Sequence, residues 1–153
     1  MSRALRLVLN GAEREFAVED WTLLLDLLRA VGLSGAKPSC EMEVCGSCTV
    51  LVEGLPVSSC TTLAREAEGK SVETVEGLAG DTPHPLQQAF MDRFAFQCGY
   101  CTPGMLMAAK SLLQHQPHPS REEIVHWMDG NICRCTGYQS IVEAIELAAQ
   151  RTT

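Results

Sequence analysis

No stretch of the 153-residue sequence approaches the run of about 18 apolar residues that crossing a bilayer requires. The amino-terminal Met1 to Leu9 segment is short and alternating, without an apolar h-region, a small-residue cleavage site or a twin arginine, so a cytoplasmic location is expected. Basic residues are scarce: Lys plus Arg is 12 against 19 Asp plus Glu, a net charge of −7, with no basic cluster. Neutralising phosphates needs such clusters, so nucleic acid is excluded as a partner. There is no Gly-rich phosphate loop, no Ser/His/Asp set and no pair of catalytic carboxylates. The chain is therefore expected to carry no substrate-converting site of its own. His84, His115, His118 and His126 share no metal-ligand spacing and read as surface or boundary residues.

What remains is a hydrophobic fraction of 46% and eight cysteines. That hydrophobic content can fill a core, but two half-sized domains would each be marginal without disulfides, metals or a partner. In a compartment that disfavours disulfides, clustered cysteines point to metal or redox chemistry.

The chain changes character midway. Leu5, Leu7 and Leu9 alternate up to Asn10-Gly11, a dipeptide that tolerates φ > 0 at both turn positions, which predicts an opening β-hairpin. Asp20 or Thr22 can cap a helix with the apolar face Leu24, Leu27, Leu28 and Val31, closed by Gly32. A Gly-, Pro- and Cys-rich loop runs from Ser34 to Cys48, and short strands are predicted at Thr49–Val52 and Val72–Val75 around a Glu53-Gly54 turn and an irregular stretch. Helical spacing follows: Leu86, Ala89, Phe90, Arg93 and Phe94, then a helix opened by Thr102-Pro103. Next come a Ser120/Glu123 capping box, and a last helix on Ile141, Val142, Ile145, Ala148 and Ala149. Met105 and Met107 read as helix packing, and Trp21 and Trp127 as buried or half-buried core. These segments predict an α+β fold: a small sheet with one crossing helix, then a four-helix domain, with residues 1–77 and 78–153 as the two domains and the boundary in the Gly- and Pro-rich stretch from Gly77 to Pro85.

Cys40, Cys45 and Cys48 form C-x4-C-x2-C, with Cys60 further on, the spacing of plant-type [2Fe–2S] sites. Three thiolates in one tight loop can wrap a cluster, and a fourth from a neighbouring turn closes the cage. Gly46 lets the backbone N–H groups approach the sulfurs. Cys98 and Cys101 precede a helix start, whose orphan N–H groups favour negative charge, and Cys133 and Cys135 precede the last helix. Two structural zinc sites would use the same number of thiolates, but zinc usually takes two short symmetrical pairs, unlike C-x4-C-x2-C.

The segments Cys40-Glu41-Met42-Glu43-Val44-Cys45-Gly46-Ser47-Cys48, Gln97-Cys98-Gly99-Tyr100-Cys101-Thr102-Pro103-Gly104 and Asn131-Ile132-Cys133-Arg134-Cys135-Thr136-Gly137-Tyr138 together resemble the small iron–sulfur subunit of the molybdenum hydroxylases, the xanthine oxidase and carbon monoxide dehydrogenase family. The resemblance covers nearly the whole chain. It implies a ferredoxin-like β-grasp domain followed by a four-helix domain, and two [2Fe–2S] clusters. It also implies a large partner subunit carrying molybdopterin and, usually, a medium subunit carrying FAD. Electrons released at molybdenum would pass through the helical-domain cluster, then the ferredoxin-like cluster, to flavin or another acceptor. Gln97 and Cys135 match positions that touch the pterin. Glu43 departs from the small residue common at its position, and would be strained if the loop needs φ > 0 there. Ser47, often Ala in the family, could donate a hydrogen bond to a cluster sulfur. The competing reading is a stand-alone ferredoxin-type carrier, against which the helical half and its second cysteine group argue.

Overall fold

The structure, a computed structural model, describes residues 2–151. Strands β1 (Arg3–Leu9) and β2 (Ala12–Val18) form the opening hairpin in antiparallel register, Leu5 opposite Phe16. Its turn residues have φ of 49° at Asn10 and 81° at Gly11, as the dipeptide predicts. After helix α1 (Leu24–Ala30) come β3 (Thr49–Val52), β4 (Leu55–Ser58) and β5 (Ser71–Glu73). The five-stranded sheet has the order β2-β1-β5-β3-β4, with β1 and β5 parallel and the other pairs antiparallel. This is the α+β arrangement expected of a ferredoxin-like domain.

Leu5, Leu7 and Leu9 on β1, Val50 on β3 and Val72 on β5 bury one face of the sheet against Leu24, Leu25, Leu27 and Leu28 of α1. Each such side chain withdrawn from water is worth about 1.5–3 kcal/mol. Helix α1 ends in a Schellman-type turn: Gly32, with φ of 89°, donates to Arg29 O at 3.1 Å and Leu33 N to Leu28 O at 2.9 Å.

The second half holds four α-helices: α2 (Pro85–Asp92), α3 (Thr102–His115), α4 (Arg121–Trp127) and α5 (Gln139–Arg151). Leu86 and Phe90, Met105 and Ala109, Ile124, and Ile141 and Ile145 supply one continuous core from all four. The Ser120/Glu123 capping box forms as expected. A second box, not foreseen, opens α2: His84 Nδ1 accepts from Leu86 N at 3.2 Å while Gln87 Oε1 accepts from His84 N at 2.8 Å.

The halves dock through α3. Leu51 of β3 is fully buried on the sheet face opposite Val50, the side covered by α3. Ser111 Oγ donates to Gly54 O at 2.7 Å, and Lys110 pairs with Glu73.

Several local expectations are corrected. Trp21 is 71% exposed rather than buried, because it lies in the turn before α1 and not on a periodic element. Val31 falls past the end of α1 and is likewise exposed. Neither Asp20 nor Thr22 caps α1; its N-cap is Leu23, and the Thr22 hydroxyl accepts from Glu19 N. Helix α3 starts one residue early, with Cys101 as N-cap and Thr102 already helical. Strand β4 emerges from the stretch read as irregular. Its Pro56 masks it, a residue tolerated because β4 is an edge strand. Phe94, placed by its spacing on the α2 face, instead lies beyond the helix with φ of 51° and is 82% exposed.

Candidate metal centres

The first cysteine group sits on the long loop between α1 and β3. Its backbone turns back on itself through left-handed residues: φ is 53° at Glu41, 61° at Glu43 and 70° at Gly46. The strain foreseen for Glu43 is therefore present. The wrap aims main-chain donors at sulfur, with Val44 N and Cys45 N each 3.4 Å from Cys40 Sγ. Burial pushes the Cys45 thiol up, but hydrogen bonds from the Ser47 backbone and side chain and from Cys40 outweigh it and bring it to about 6. Cys48 and Cys60 are buried together; burial and the Cys60 thiol push Cys48 up to about 11. Ser59 fixes the approach of Cys60 by donating from Oγ to Cys48 O at 2.7 Å.

The second group lies where the start of α3 meets the segment before α5. Cys98 and Cys135 are exposed, with their sulfurs 3.5 Å apart. Cys101 and Cys133 lie deeper. Burial, then the neighbouring Cys133, raises Cys101 to about 12. Burial raises Cys133 too, but the hydroxyl and backbone N–H of Thr136 overcome it and leave the thiol lowered, Thr136 Oγ1 standing 3.2 Å from Cys133 Sγ. The Cys133 N–H donates to the Tyr138 hydroxyl at 3.0 Å. Gln97 Nε2 donates to Cys135 O at 3.1 Å, which joins the two predicted pterin contacts.

The eight thiols are free, and each has a neighbour: Cys40 Sγ faces the Cys45 N–H, Cys48 adjoins Cys60, Cys98 Sγ meets Cys135 Sγ, and Cys101 adjoins Cys133. A [2Fe–2S] cluster takes four thiolates as two per iron, whereas structural zinc draws all four onto one ion. Two pairs in each half fit the two-iron group.

Sequence reasoning missed what couples the two groups. Ile132 N donates to Cys45 O at 2.9 Å, and the Tyr100 hydroxyl to Pro38 O. Buried Asn131 donates from Nδ2 to Gly46 O at 3.1 Å and to Thr49 Oγ1 at 3.3 Å. Helix α3 comes so near the first loop that a Cβ on Gly104 would overlap the Gly46 carbonyl oxygen. The only signal was position: each of these residues adjoins a cysteine motif.

Known proteins divide the same way. Residues 7–79 match the 2Fe-2S iron-sulfur cluster binding domain family, and residues 74–146 the [2Fe-2S] binding domain family. The nicotine 6-hydroxylase small subunit of Paenarthrobacter nicotinovorans is 49% identical over 137 residues, 89% of this chain and 83% of its own. Quinoline 2-oxidoreductase from Pseudomonas putida 86 superposes with a TM-score of 0.93 at 49% identity, over 98% of this chain and 97% of that one. The aldehyde oxidoreductase of Desulfovibrio desulfuricans superposes with a TM-score of 0.95 at 41% identity, over 98% of this chain but 17% of that one. With both cluster-binding domains in the same order and relatives of this similarity along nearly its whole length, the chain belongs to the small iron–sulfur subunits of the molybdenum hydroxylase family.

Proposed function

We propose that the chain is a fixed two-station electron relay, with Cys40, Cys45, Cys48 and Cys60 holding one [2Fe–2S] cluster and Cys98, Cys101, Cys133 and Cys135 the other. The two domains would be residues 1–77 and 78–153; the separate hydrophobic clusters of residues 5–72 and 78–149 support that division. The observation that carries the reading is the Ile132 N–H to Cys45 O hydrogen bond of 2.9 Å. Cys45 lies in one ligand set and Cys133 follows Ile132 directly, so a short bonded route joins the two sets through main chain alone. When bound, the clusters supply one-electron storage that a protein side chain cannot. The chain's own groups set where that charge sits: the Val44 and Cys45 N–H groups, Ser47 and Thr136 donate toward sulfur and favour added negative charge.

On this reading a large subunit carries the molybdopterin, a medium subunit carries FAD, and Gln97 and Cys135 meet the pterin. The exposed Cys98/Cys135 pair supports that end of the relay, since a thiol-bound cluster so near the surface is suited to a docked partner. Among the described residues no helix is long and apolar enough to cross a membrane, and we place the complex in the cytoplasm. A stand-alone carrier needs one exposed cluster and would gain nothing from two stations locked together.

Native protein should contain about four iron and about four acid-labile sulfide per chain. Stoichiometric zinc without iron in material from its native host would overturn the ligand assignment. The charge at Glu43 gives a finer check. Glu43 Oε2 accepts from the Thr61 hydroxyl at 3.4 Å, which holds the carboxylate on the Cys-loop side. Glu43→Gln removes a negative charge beside the first site and should raise its reduction potential in a redox titration. An unchanged or lowered potential would show that the carboxylate is screened by solvent.

A further inference from the structure

Resting on the relay reading above, we infer that Phe94 is the anchor by which this chain grips the large subunit, flanked by Met91 and Phe96. Three observations converge on it. First, a large aromatic residue occupies the left-handed position just past α2, with φ of 51°, where glycine is the unstrained choice. Second, the strain gains nothing inside this chain, because Phe94 is 82% exposed, while Met91 and Phe96 beside it are 42% and 41% exposed. Third, Met91 and Phe96, which stand on either side of Phe94 in the sequence, line one open groove with Pro83, Gln87 and Leu106, so apolar surface is open to a partner beside it.

The occupant follows from what adjoins the patch. Phe96 leads directly into Gln97 and exposed Cys98, and Gln97 is bonded to exposed Cys135, so the apolar patch is continuous with the end of the relay that must face the electron donor. In the aldehyde oxidoreductase this chain's counterpart is 17% of a single polypeptide, so a much larger mass is joined to this same fold there. A strongly exposed Phe with two further exposed apolar side chains within three residues of it has the composition of an interface hot spot, where aromatic anchors dominate. The large subunit should therefore present an apolar pocket that receives the Phe94 ring.

The test is Phe94→Gly in the cluster-loaded chain, measured as affinity for the purified large subunit and as thermal stability of the chain alone. Affinity should fall about 30-fold or more, the loss expected for a central aromatic anchor. The melting temperature should hold or rise, because glycine relieves the left-handed strain. Those opposite signs separate an anchor from a structural residue, which would lower both. Trp21→Ala, removing another strongly exposed ring on the first half, should leave affinity unchanged. Unchanged affinity in Phe94→Gly, or a fall matched by a lower melting temperature, would overturn the inference. So would loss of the flavin subunit, or of a self-dimer, in place of the large subunit. If the unsubstituted chain brings down no molybdopterin-bearing protein at all, the relay reading fails and not only the anchor.

Discussion

Gly104→Ala should lower the melting temperature by roughly 4–8 °C, a net loss of about 2 kcal/mol, although alanine is the better helix former by about 1 kcal/mol. Gly104 lies in the first turn of α3, and its missing side chain is what lets the helix rest on the Cys40–Cys48 loop. A Cβ there would overlap the Gly46 carbonyl oxygen, which is main chain and cannot rotate away. Gly46 is itself hemmed in, since a Cβ on it would stand 2.6 Å from Gly130 O. Relief requires the two halves to part, and overpacking of this kind costs about 3 kcal/mol. The Ile132 to Cys45 and Asn131 to Gly46 hydrogen bonds cross the same seam and would lengthen with it. Calorimetry on the loaded chain measures the shift. A melting temperature equal to or above that of the parent would mean that the seam yields freely.

Cys60→Ser should reduce the iron content from about four to about two per chain and sharply slow the reduction of flavin by substrate in the assembled enzyme. The fold should tolerate the change. The Cys60 segment is held by Ser59, whose Oγ donates to Cys48 O at 2.7 Å and whose carbonyl accepts from Leu25 N at 3.0 Å. Neither bond involves the Cys60 thiol. The second ligand set is untouched, so freeze-quench electron paramagnetic resonance should still report prompt reduction there. Flavin reduced at the normal rate without the first cluster would refute the proposed order. A variant that retains all its iron would remove Cys60 from the ligand set.

The chemistry of this chain was legible because it is carried by residue identity and short-range spacing. C-x4-C-x2-C, the Gln97 to Gly104 segment and the Cys133/Cys135 pair were readable without a fold, and so was the Asn10-Gly11 hairpin. Periodicity also located the helices, since Leu86, Ala89 and Phe90, or Ile141, Val142 and Ile145, recur at helical intervals and are buried where expected. It misled at element ends. Phe94 and Val31 continue an apolar spacing past the residue where the helix stops, and spacing alone does not see a C-cap. Trp21 was assigned inward on hydrophobicity, although its neighbours define no face.

The sequence by itself determined the eight cysteines and their spacing, the order of the two cluster-binding family matches and the local turns, because each depends on residues within short stretches of chain. The tertiary structure alone decided which thiols pair and how the groups are joined. Cys98 meets Cys135 across 37 residues, Asn131 reaches Gly46 across 85, and Tyr100 reaches Pro38 across 62. The last two close only when α3 rests on the Cys40–Cys48 loop, and that close approach depends on the absence of a side chain at Gly104. No motif records it, because a glycine in a helix looks the same whether it is a weakness or the point of closest approach.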